Sequence, residues 1–226
     1  MAKCFSQKKG VDYEETFFPI EKWATIRTLF ALAAQNNWKI HQMDVKTAFL
    51  NGDLKENVFM SHPKRYFVKR HEHKVCKLVK SFYALKQAQR AWYEKLIEHL
   101  LKLIFKHYDL DDETLFVKKV GKLVVYLMVY VDDILMIGNN ESYIASIKKE
   151  LRKGFEMTGL GYVHYYLGIE VTQHPKYILL SQKKYIRDML NRFGLAECNP
   201  LTTLMEHNLK LTSIEGKEFE DATRYI

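Results

Sequence analysis

The sequence predicts an α+β fold in which helices pack on one face of a sheet. Helical and strand-like segments follow one another along the 226 residues without a strict βαβα order. Hydrophobic residues make up 47% of the chain, which is enough for a substantial core and argues against wholesale disorder. The length allows one large domain or two small ones.

The first half of the chain alternates helix and strand signals. Apolar residues at helical spacing predict a helix over residues 24–38, and alternation predicts a strand over 39–45. A short helical turn from Lys46 should end at Asn51-Gly52. A long amphipathic helix is predicted from Gln87 to Phe105. Its apolar face comprises Ala88, Ala91, Trp92, Leu96, Leu100 and Leu103.

The second half reads as strands and two further helices. The predicted elements are strands at 115–117 and 123–137, a helix at 142–155 with Ser142 as its N-cap, a hairpin from 163–172 and 177–180, and a helix at 183–193. From Asn199 the chain is polar and loses its periodicity.

Charge and cysteine content narrow the class of protein. The formal net charge of +8 favours nucleic acid or another anionic surface as a partner, although many soluble proteins are mildly basic. Cys4, Cys76 and Cys198 are too far apart for a disulfide framework or a metal clip, which predicts a reducing, intracellular setting. The apolar run 123–137 is too short to span a bilayer, so no membrane partner is expected.

Asp132 and Asp133 are the only residues in the run 123–137 that are neither apolar nor aromatic. Carboxylates in an apolar setting cost several kcal/mol unless something compensates them, and a divalent cation such as Mg²⁺ does so through oxygen ligands. Asp44, at the end of a predicted strand, supplies a third acid. Converging carboxylates that hold two cations are what phosphoryl transfer requires. From spacing alone, an ordinary tight turn at a strand end explains the pair equally well.

Four segments carry a resemblance to a known family. They are QMDVKTAFLNGDL (42–54), YALKQAQRAWY (83–93), YVDDILMIG (130–138) and YLGIEV (166–171). In order and approximate spacing they resemble the reverse transcriptase of copia-type LTR retrotransposons, and the resemblance runs from about Ala2 to Tyr225. It implies a right-hand polymerase palm with an antiparallel sheet packed by helices, partial fingers and a partial thumb.

The resemblance implies that Asp44, Asp132 and Asp133 are catalytic and hold two Mg²⁺ ions, with Mn²⁺ possible and the Val45 carbonyl as an extra ligand. The expected partners are an RNA or DNA template–primer and a dNTP, whose α-phosphate the primer 3′-hydroxyl attacks. Phe49 matches the aromatic ring that lies under the incoming sugar and disfavours a ribose 2′-hydroxyl. A plain core aromatic is the alternative for Phe49.

Further site residues follow from the same resemblance. Gln87 matches a glutamine that positions the incoming nucleotide and the template base, and Lys86 and Arg90 would meet phosphates. The alternative for Lys86 and Arg90 is a solvated helix start. Leu167, Gly168 and Ile169 resemble the hairpin that grips the primer end, with Gly168 allowing close backbone approach. An ordinary sheet edge is the alternative for this hairpin.

The chain departs from the family at its ends and, among other places, at two positions within the segment 83–93. We expect a reverse transcriptase domain over 1–198 and a polar tail over 199–226. Relative to the family, this domain is expected to be truncated at both ends and to lack the finger arginine that touches the triphosphate. Ala84 replaces the usual glycine, which costs about 1 kcal/mol if the backbone there has a positive φ. Gln89 replaces the usual proline in a first helical turn, with little expected effect.

Function stays open among three possibilities at this stage. The chain is an RNA-directed DNA polymerase fragment, an inactive nucleic-acid-binding remnant of a decayed element, or an unstable fragment with an exposed sheet edge. The family implies an intracellular location, in a cytoplasmic virus-like particle. The oligomeric state is not predictable from the sequence.

Overall fold

The computed structural model describes residues 6–62, 74–108 and 112–202. The helices are α1 (Trp23–Asn36), α2 (Ala48–Asn51), α3 (Ala88–Lys102), α4 (Glu141–Gly154) and α5 (Lys183–Arg192). The strands are β1 (Ile40–Val45), β2 (Phe59–Ser61), β3 (Val75–Lys77), β4 (Lys106–His107), β5 (Leu115–Val120), β6 (Leu123–Tyr130), β7 (Asp133–Gly138), β8 (Met157–Tyr162), β9 (Tyr165–Tyr166), β10 (Ile169–His174) and β11 (Tyr177–Ser181).

The described residues fall into two compact units. The first has chain boundaries Met1–Val163 and Gln173–Ile178, and the second His164–Thr172 and Leu179–Ile226. Among the helices in the described ranges, none is long and apolar enough to cross a membrane.

The centre of the first unit is a six-stranded sheet of order β4-β5-β6-β7-β1-β8, and its strand pairs are antiparallel. The strand β1 lies between β7 and β8 and is buried along nearly its whole length. The strands predicted over 123–137 form the hairpin β6–β7, with Tyr130 opposite Asp133. A mixed α/β architecture built on antiparallel sheets is therefore confirmed.

One face of this sheet packs against α3 and α4. Trp92, Leu96 and Leu100 of α3 and Ile144, Ile147 and Leu151 of α4 share a core cluster with the sheet. The strand residues in this cluster include Met43, Val125, Leu127, Val129, Ile134 and Met136. They alternate along their strands, as expected for side chains on one face. The apolar face predicted for the long helix is confirmed at Ala88, Trp92, Leu96 and Leu100.

The expectation that helices lie on one face only is wrong. Thr25 and Leu29 of α1 line a cavity of about 220 Å³ together with Leu115 and Tyr126. Tyr126 alternates with Val125 and Leu127, so it belongs to the face opposite α3 and α4. The physical reason is that β6 and β7 carry apolar side chains on both faces, and both faces must be covered.

Three local features also differ from what the sequence predicts. The helix α4 begins at Glu141, because the Asn140 side chain accepts a 2.8 Å hydrogen bond from the Tyr143 N–H. Ser142 is therefore inside the helix and is not its N-cap. The strand β8 escaped prediction because Gly159 and Gly161 dilute its strand signal. The predicted strand 163–172 is interrupted by a turn between β9 and β10.

The segment before α3 contains a tight turn that explains the departure at Ala84. The Leu85 N–H donates to the Phe82 carbonyl at 3.0 Å, and Ala84 has a φ of 77°. A positive φ at the third position is typical of a type II turn, where glycine is favoured because it has no Cβ. The φ of Ala84 is therefore positive, as the strain expected of alanine at this position requires.

We expect Ala84→Gly to stabilise the protein by about 0.5–1 kcal/mol. Relief of the left-handed strain, about 1–2 kcal/mol, outweighs the extra chain entropy that glycine brings to the unfolded state. Urea unfolding at equilibrium measures this change. The matched control is Ala91→Gly within α3, which should destabilise by about 1 kcal/mol. Equal losses in both variants would contradict the turn assignment.

Candidate active site

The acidic pair Asp132-Asp133 lies at the tip of the β6–β7 hairpin. Tyr130 and Asp133 close the hairpin, so Val131 and Asp132 form its two-residue turn. Val131 has a φ of 54°. For a β-branched residue this left-handed conformation is an outlier, and such strain persists only where the surroundings hold the backbone firmly.

Two hydrogen bonds from neighbouring elements hold this turn. The Trp92 indole N–H of α3 donates to the Val131 carbonyl at 2.6 Å. The Val45 backbone N–H donates to the Asp132 carbonyl at 2.8 Å. Trp92 is fully buried, so the turn is attached directly to the core of the first unit.

Asp44 reaches the same end of the sheet through strand register. It lies directly opposite Asp133 in the β1–β7 pair. Side chains of directly opposed residues lie on the same face, with Cβ atoms about 4.5–5.5 Å apart. The register therefore brings Asp44 and Asp133 together, and Asp132 is the next residue along the turn.

The electrostatics of the three carboxylates reflect this crowding. Burial raises the pKa of Asp44 above its usual range, and the charge of Asp132 raises it further. Burial also raises the pKa of Asp133, with further contributions from Asp132 and Asp44. The Gln42 amide opposes this shift by donating to Asp133 Oδ1 at 2.8 Å. A nearby positive charge would relieve the repulsion.

The donor chemistry of this cluster fits a hard divalent cation, since carboxylate oxygens are the ligands that Mg²⁺ prefers. The aspartates do not form a ready-made cage, however. Within residues 6–62, 74–108 and 112–202, no group of three or more His, Cys, Asp or Glu side chains is spaced to hold a metal ion. One oxygen of Asp133 is already bonded to Gln42.

Phe49 lies on α2 and is half-buried between two core clusters. Its ring contacts Tyr83, with centroids 4.7 Å apart and an interplanar angle of 54°. Burial raises the pKa of the Tyr83 hydroxyl, and the charges of Asp132 and Asp44 raise it further. The phenol of Tyr83 therefore lies within the electrostatic influence of the aspartates.

Gln87, at the N-cap position of α3, is buried beneath the N-terminal segment and only 2% exposed. Its Oε1 accepts from the Gln7 amide at 3.0 Å, and its Nε2 donates to the Asp12 carbonyl at 2.9 Å. The Lys86 N–H donates to Gln7 Oε1, and the Lys86 ammonium contacts Tyr13. These bonds fasten the N-terminal segment to the beginning of α3.

Arg90 lies one helical turn further along, beside a cleft of about 290 Å³. Its Nε donates to Glu94 at 2.9 Å, and Glu15 is 4.0 Å from its Nη1. Acidic side chains dominate the lining of this cleft: Glu14, Glu15, Asp53, Glu56 and Glu94. Arg90 is thus largely neutralised where it lies.

Leu167 and Gly168 form the two-residue turn between β9 and β10 in the second unit, where Ile169 pairs with Tyr166. Their φ angles are 47° and 82°. Two successive positive φ values are typical of a type I′ hairpin turn. Glycine is favoured at position 168 by its positive φ and not by lack of room, because a Cβ there would meet open space.

Sequence reasoning missed three residues that shape this region: Gln42, Trp92 as a hydrogen-bond donor, and Tyr83. Gln42 was detectable, because it precedes Asp44 by two positions on a strand and therefore shares its face. The contacts of Trp92 and Tyr83 join elements far apart in sequence, and no local pattern signals them.

The model of the reverse transcriptase (RNA-dependent DNA polymerase) family matches residues 1–207. The chain belongs to this reverse transcriptase family. The resemblance to copia-type elements is confirmed by relatives that are Pol polyproteins of plant transposons.

Two of these relatives show the extent of the similarity. The retrovirus-related Pol polyprotein from transposon RE1 of Arabidopsis thaliana is 40% identical over 225 residues, covering 100% of this chain and 15% of the relative. That from transposon TNT 1-94 of Nicotiana tabacum is 38% identical over 214 residues, covering 94% and 16%. The chain thus spans about a sixth of the length of these relatives. No solved structure matches the chain.

We expect Trp92→Phe to destabilise the protein by about 2–3 kcal/mol. The substitution leaves a void in the core and removes the donor to the Val131 carbonyl. Thermal and urea unfolding measure the loss. Trp23→Phe is the control, because Trp23 is 47% exposed at the start of α1 and should change stability little. Similar losses in both variants would contradict a special role for Trp92.

Without divalent metal at neutral pH, Asp133→Asn should raise the free energy of unfolding. Because the folded-state pKa of Asp133 lies above its usual 3.8, folded protein binds this proton more tightly than unfolded chain. Wild-type stability therefore falls as pH rises through the interval between the two pKa values. Asparagine keeps an acceptor for Gln42 and removes the charge, so its advantage should shrink as pH approaches 3.8.

Asp53→Asn provides a control of opposite sign. Hydrogen bonds from Lys80 and Lys95 lower the pKa of Asp53, so its charge contributes stability above pH 3.8, which is lost as pH falls through the lowered pKa. This variant should gain nothing at neutral pH. A stabilising Asp53→Asn, or a destabilising Asp133→Asn, would contradict the electrostatic account.

Proposed function

We propose that this chain carries out RNA-directed DNA synthesis, joining a dNTP to a primer 3′-hydroxyl with release of pyrophosphate. The observation that carries the proposal is the register that sets Asp44 opposite Asp133, beside Asp132 in a firmly held turn. In a chain of the reverse transcriptase family, this convergence of carboxylates suits nucleotidyl transfer.

Asp44, Asp132 and Asp133 would hold two Mg²⁺ ions, or Mn²⁺, with the Val45 carbonyl as an additional ligand. When bound, the ions lower the pKa of the attacking hydroxyl and neutralise the leaving pyrophosphate. The protein's own contribution is positional. Val45 and Trp92 hold the turn through its backbone, and Gln42 orients the Asp133 carboxylate.

Phe49 would lie under the sugar of the incoming nucleotide, since it is half-buried on α2 and contacts Tyr83 near the aspartates. Gln87 would position the nucleotide and the template base. Because both ends of its amide are bonded, it would act by exchanging a bond with Gln7 or Asp12, or by holding their segment in place. Lys86 and Arg90 would meet phosphates, with Arg90 first releasing Glu94.

The nucleic acid partner would be an RNA or DNA template–primer, with Leu167, Gly168 and Ile169 gripping the primer end. The formal charge of +8 supports such a partner, because phosphate contacts release counterions from the nucleic acid. In this assignment the six-stranded sheet forms the palm, the segments around β2 and β3 belong to the fingers, and α5 begins the thumb.

The proposal predicts Mg²⁺-dependent extension of an oligo(dT) primer on poly(rA) that Asp132→Asn lowers by about 100-fold or more, the range for loss of one electrostatic catalytic group. The Asp132 variant keeps the shape of the turn and loses one metal-ligand charge. Glu150→Gln on α4 is the matched control, since its carboxylate pairs with Lys153 at the surface, and it should extend like wild type.

Extension that persists in Asp132→Asn, or that needs no divalent cation, would overturn the proposed role. Salt-sensitive binding of template–primer by wild type without any extension would instead indicate a nucleic-acid-binding remnant.

A further inference from the structure

We propose that Tyr83 is a positioning residue for sugar selection, holding the Phe49 ring against the sugar of the incoming nucleotide. This inference rests on the proposed polymerase function. Tyr83 opens the segment 83–93 that carries part of the family resemblance, but the resemblance gives Tyr83 no role of its own. The contacts of its ring and its backbone point to one.

The ring contact gives Tyr83 direct control over Phe49. The two centroids are 4.7 Å apart and the rings are tilted by 54°, so each ring limits the rotation of the other. Tyr83 is also 43% exposed, so the pair of rings reaches the surface of the protein. A ring that packs on a neighbour and lies partly at the surface is suited to supporting that neighbour where it contacts substrate.

The backbones that carry the two rings are tied to each other. The Ser81 N–H donates to the Gly52 carbonyl at 2.8 Å, and the Ser81 hydroxyl donates to the Phe49 carbonyl. The tight turn through Ala84 then fixes the direction of the chain directly after Tyr83. The relative placement of the two aromatic side chains is therefore built into the fold.

The surroundings of the hydroxyl connect this pair to the aspartates. The helix α2, which carries Phe49, begins three residues after β1 ends, so the pair of rings follows closely on Asp44 along the chain. Burial raises the pKa of the Tyr83 hydroxyl, and the charges of Asp132 and Asp44 raise it further. The pair of rings thus adjoins the region where the reacting end of a nucleotide would lie. The hydroxyl stays protonated at neutral pH and is available as a hydrogen-bond donor.

A steric filter works only if it cannot move aside. A ribose 2′-hydroxyl pressed against Phe49 would be accommodated if that ring could tilt away, and the ring of Tyr83 occupies space into which it would tilt. Removal of the Tyr83 ring should therefore admit ribonucleotides, whereas removal of the hydroxyl alone should not.

The experiment compares Tyr83→Ala, Tyr83→Leu and Tyr83→Phe in the full chain. Primer extension with oligo(dG) on poly(rC) gives kcat/KM for dGTP and for GTP, which differ only at the 2′ position. Calorimetric titration of the same nucleotides in the presence of Ca²⁺ gives binding constants without turnover. Thermal unfolding establishes that each variant is folded, and Tyr83→Leu retains apolar bulk should the alanine variant fail to fold.

We expect the ratio of kcat/KM for dGTP to kcat/KM for GTP to fall about tenfold or more in Tyr83→Ala and Tyr83→Leu. This is the scale on which enzymes discriminate a small steric difference between substrates. The fall should come mainly from a lower KM for GTP, while Tyr83→Phe keeps the ratio within about twofold of wild type. Because Tyr83 acts through Phe49, adding Tyr83→Ala to Phe49→Ala should change the ratio no further. Tyr162→Ala, at 45% exposure on β8, is the matched control and should match wild type.

An unchanged ratio in folded Tyr83→Ala or Tyr83→Leu overturns the inference, as does an equal fall in Tyr83→Phe. A wild-type protein that neither extends a primer nor binds dGTP overturns the proposed function itself. The two failures are therefore distinguishable in one set of measurements.

Discussion

The hydrogen bond from the Trp92 indole to the Val131 carbonyl is the contact on which the candidate site depends. Val131 is held in a backbone conformation that a β-branched residue avoids, and the strain is offset by bonds from α3 and from β1. Since Trp92 is also central to the hydrophobic core, the position of the acidic turn follows from the packing of α3 on the sheet. The stability of the core and the geometry of the site therefore depend on the same residue.

The carboxylates of the site destabilise the fold, whereas the core stabilises it. Asp44 and Asp133 are drawn together by strand pairing, and their raised pKa values record the cost of burying neighbouring like charges. Gln42 offsets part of this cost through one hydrogen bond. Such a local conflict between charge and packing is expected where a fold serves a reaction, because a buried apolar pair at the same positions would be more stable.

Local patterns predicted the helices α1 and α3, the strand β1 and the strands of the acidic hairpin, because these segments have strong periodicity or long apolar runs. Local patterns failed for β8, whose glycines weaken the strand signal. They also failed for the start of α4, where the N-cap is Asn140 and not Ser142. The convergence of Asp44 with Asp132 and Asp133 was inferred through family resemblance. The bonds of Gln87 to Gln7 and Asp12 span more than 70 residues of chain, and no local pattern encodes them.

The first turns of α3 act as a rigid spacer between two attachment points. Gln87 fastens the N-terminal segment, and five residues later Trp92 fastens the acidic turn. At 1.5 Å per residue the helix separates these points by about 7.5 Å along its axis. Insertion of one residue between them would rotate one anchor by about 100° relative to the other. The spacing of the two motifs is therefore fixed by helical geometry, and this stretch tolerates substitution far better than a change in length.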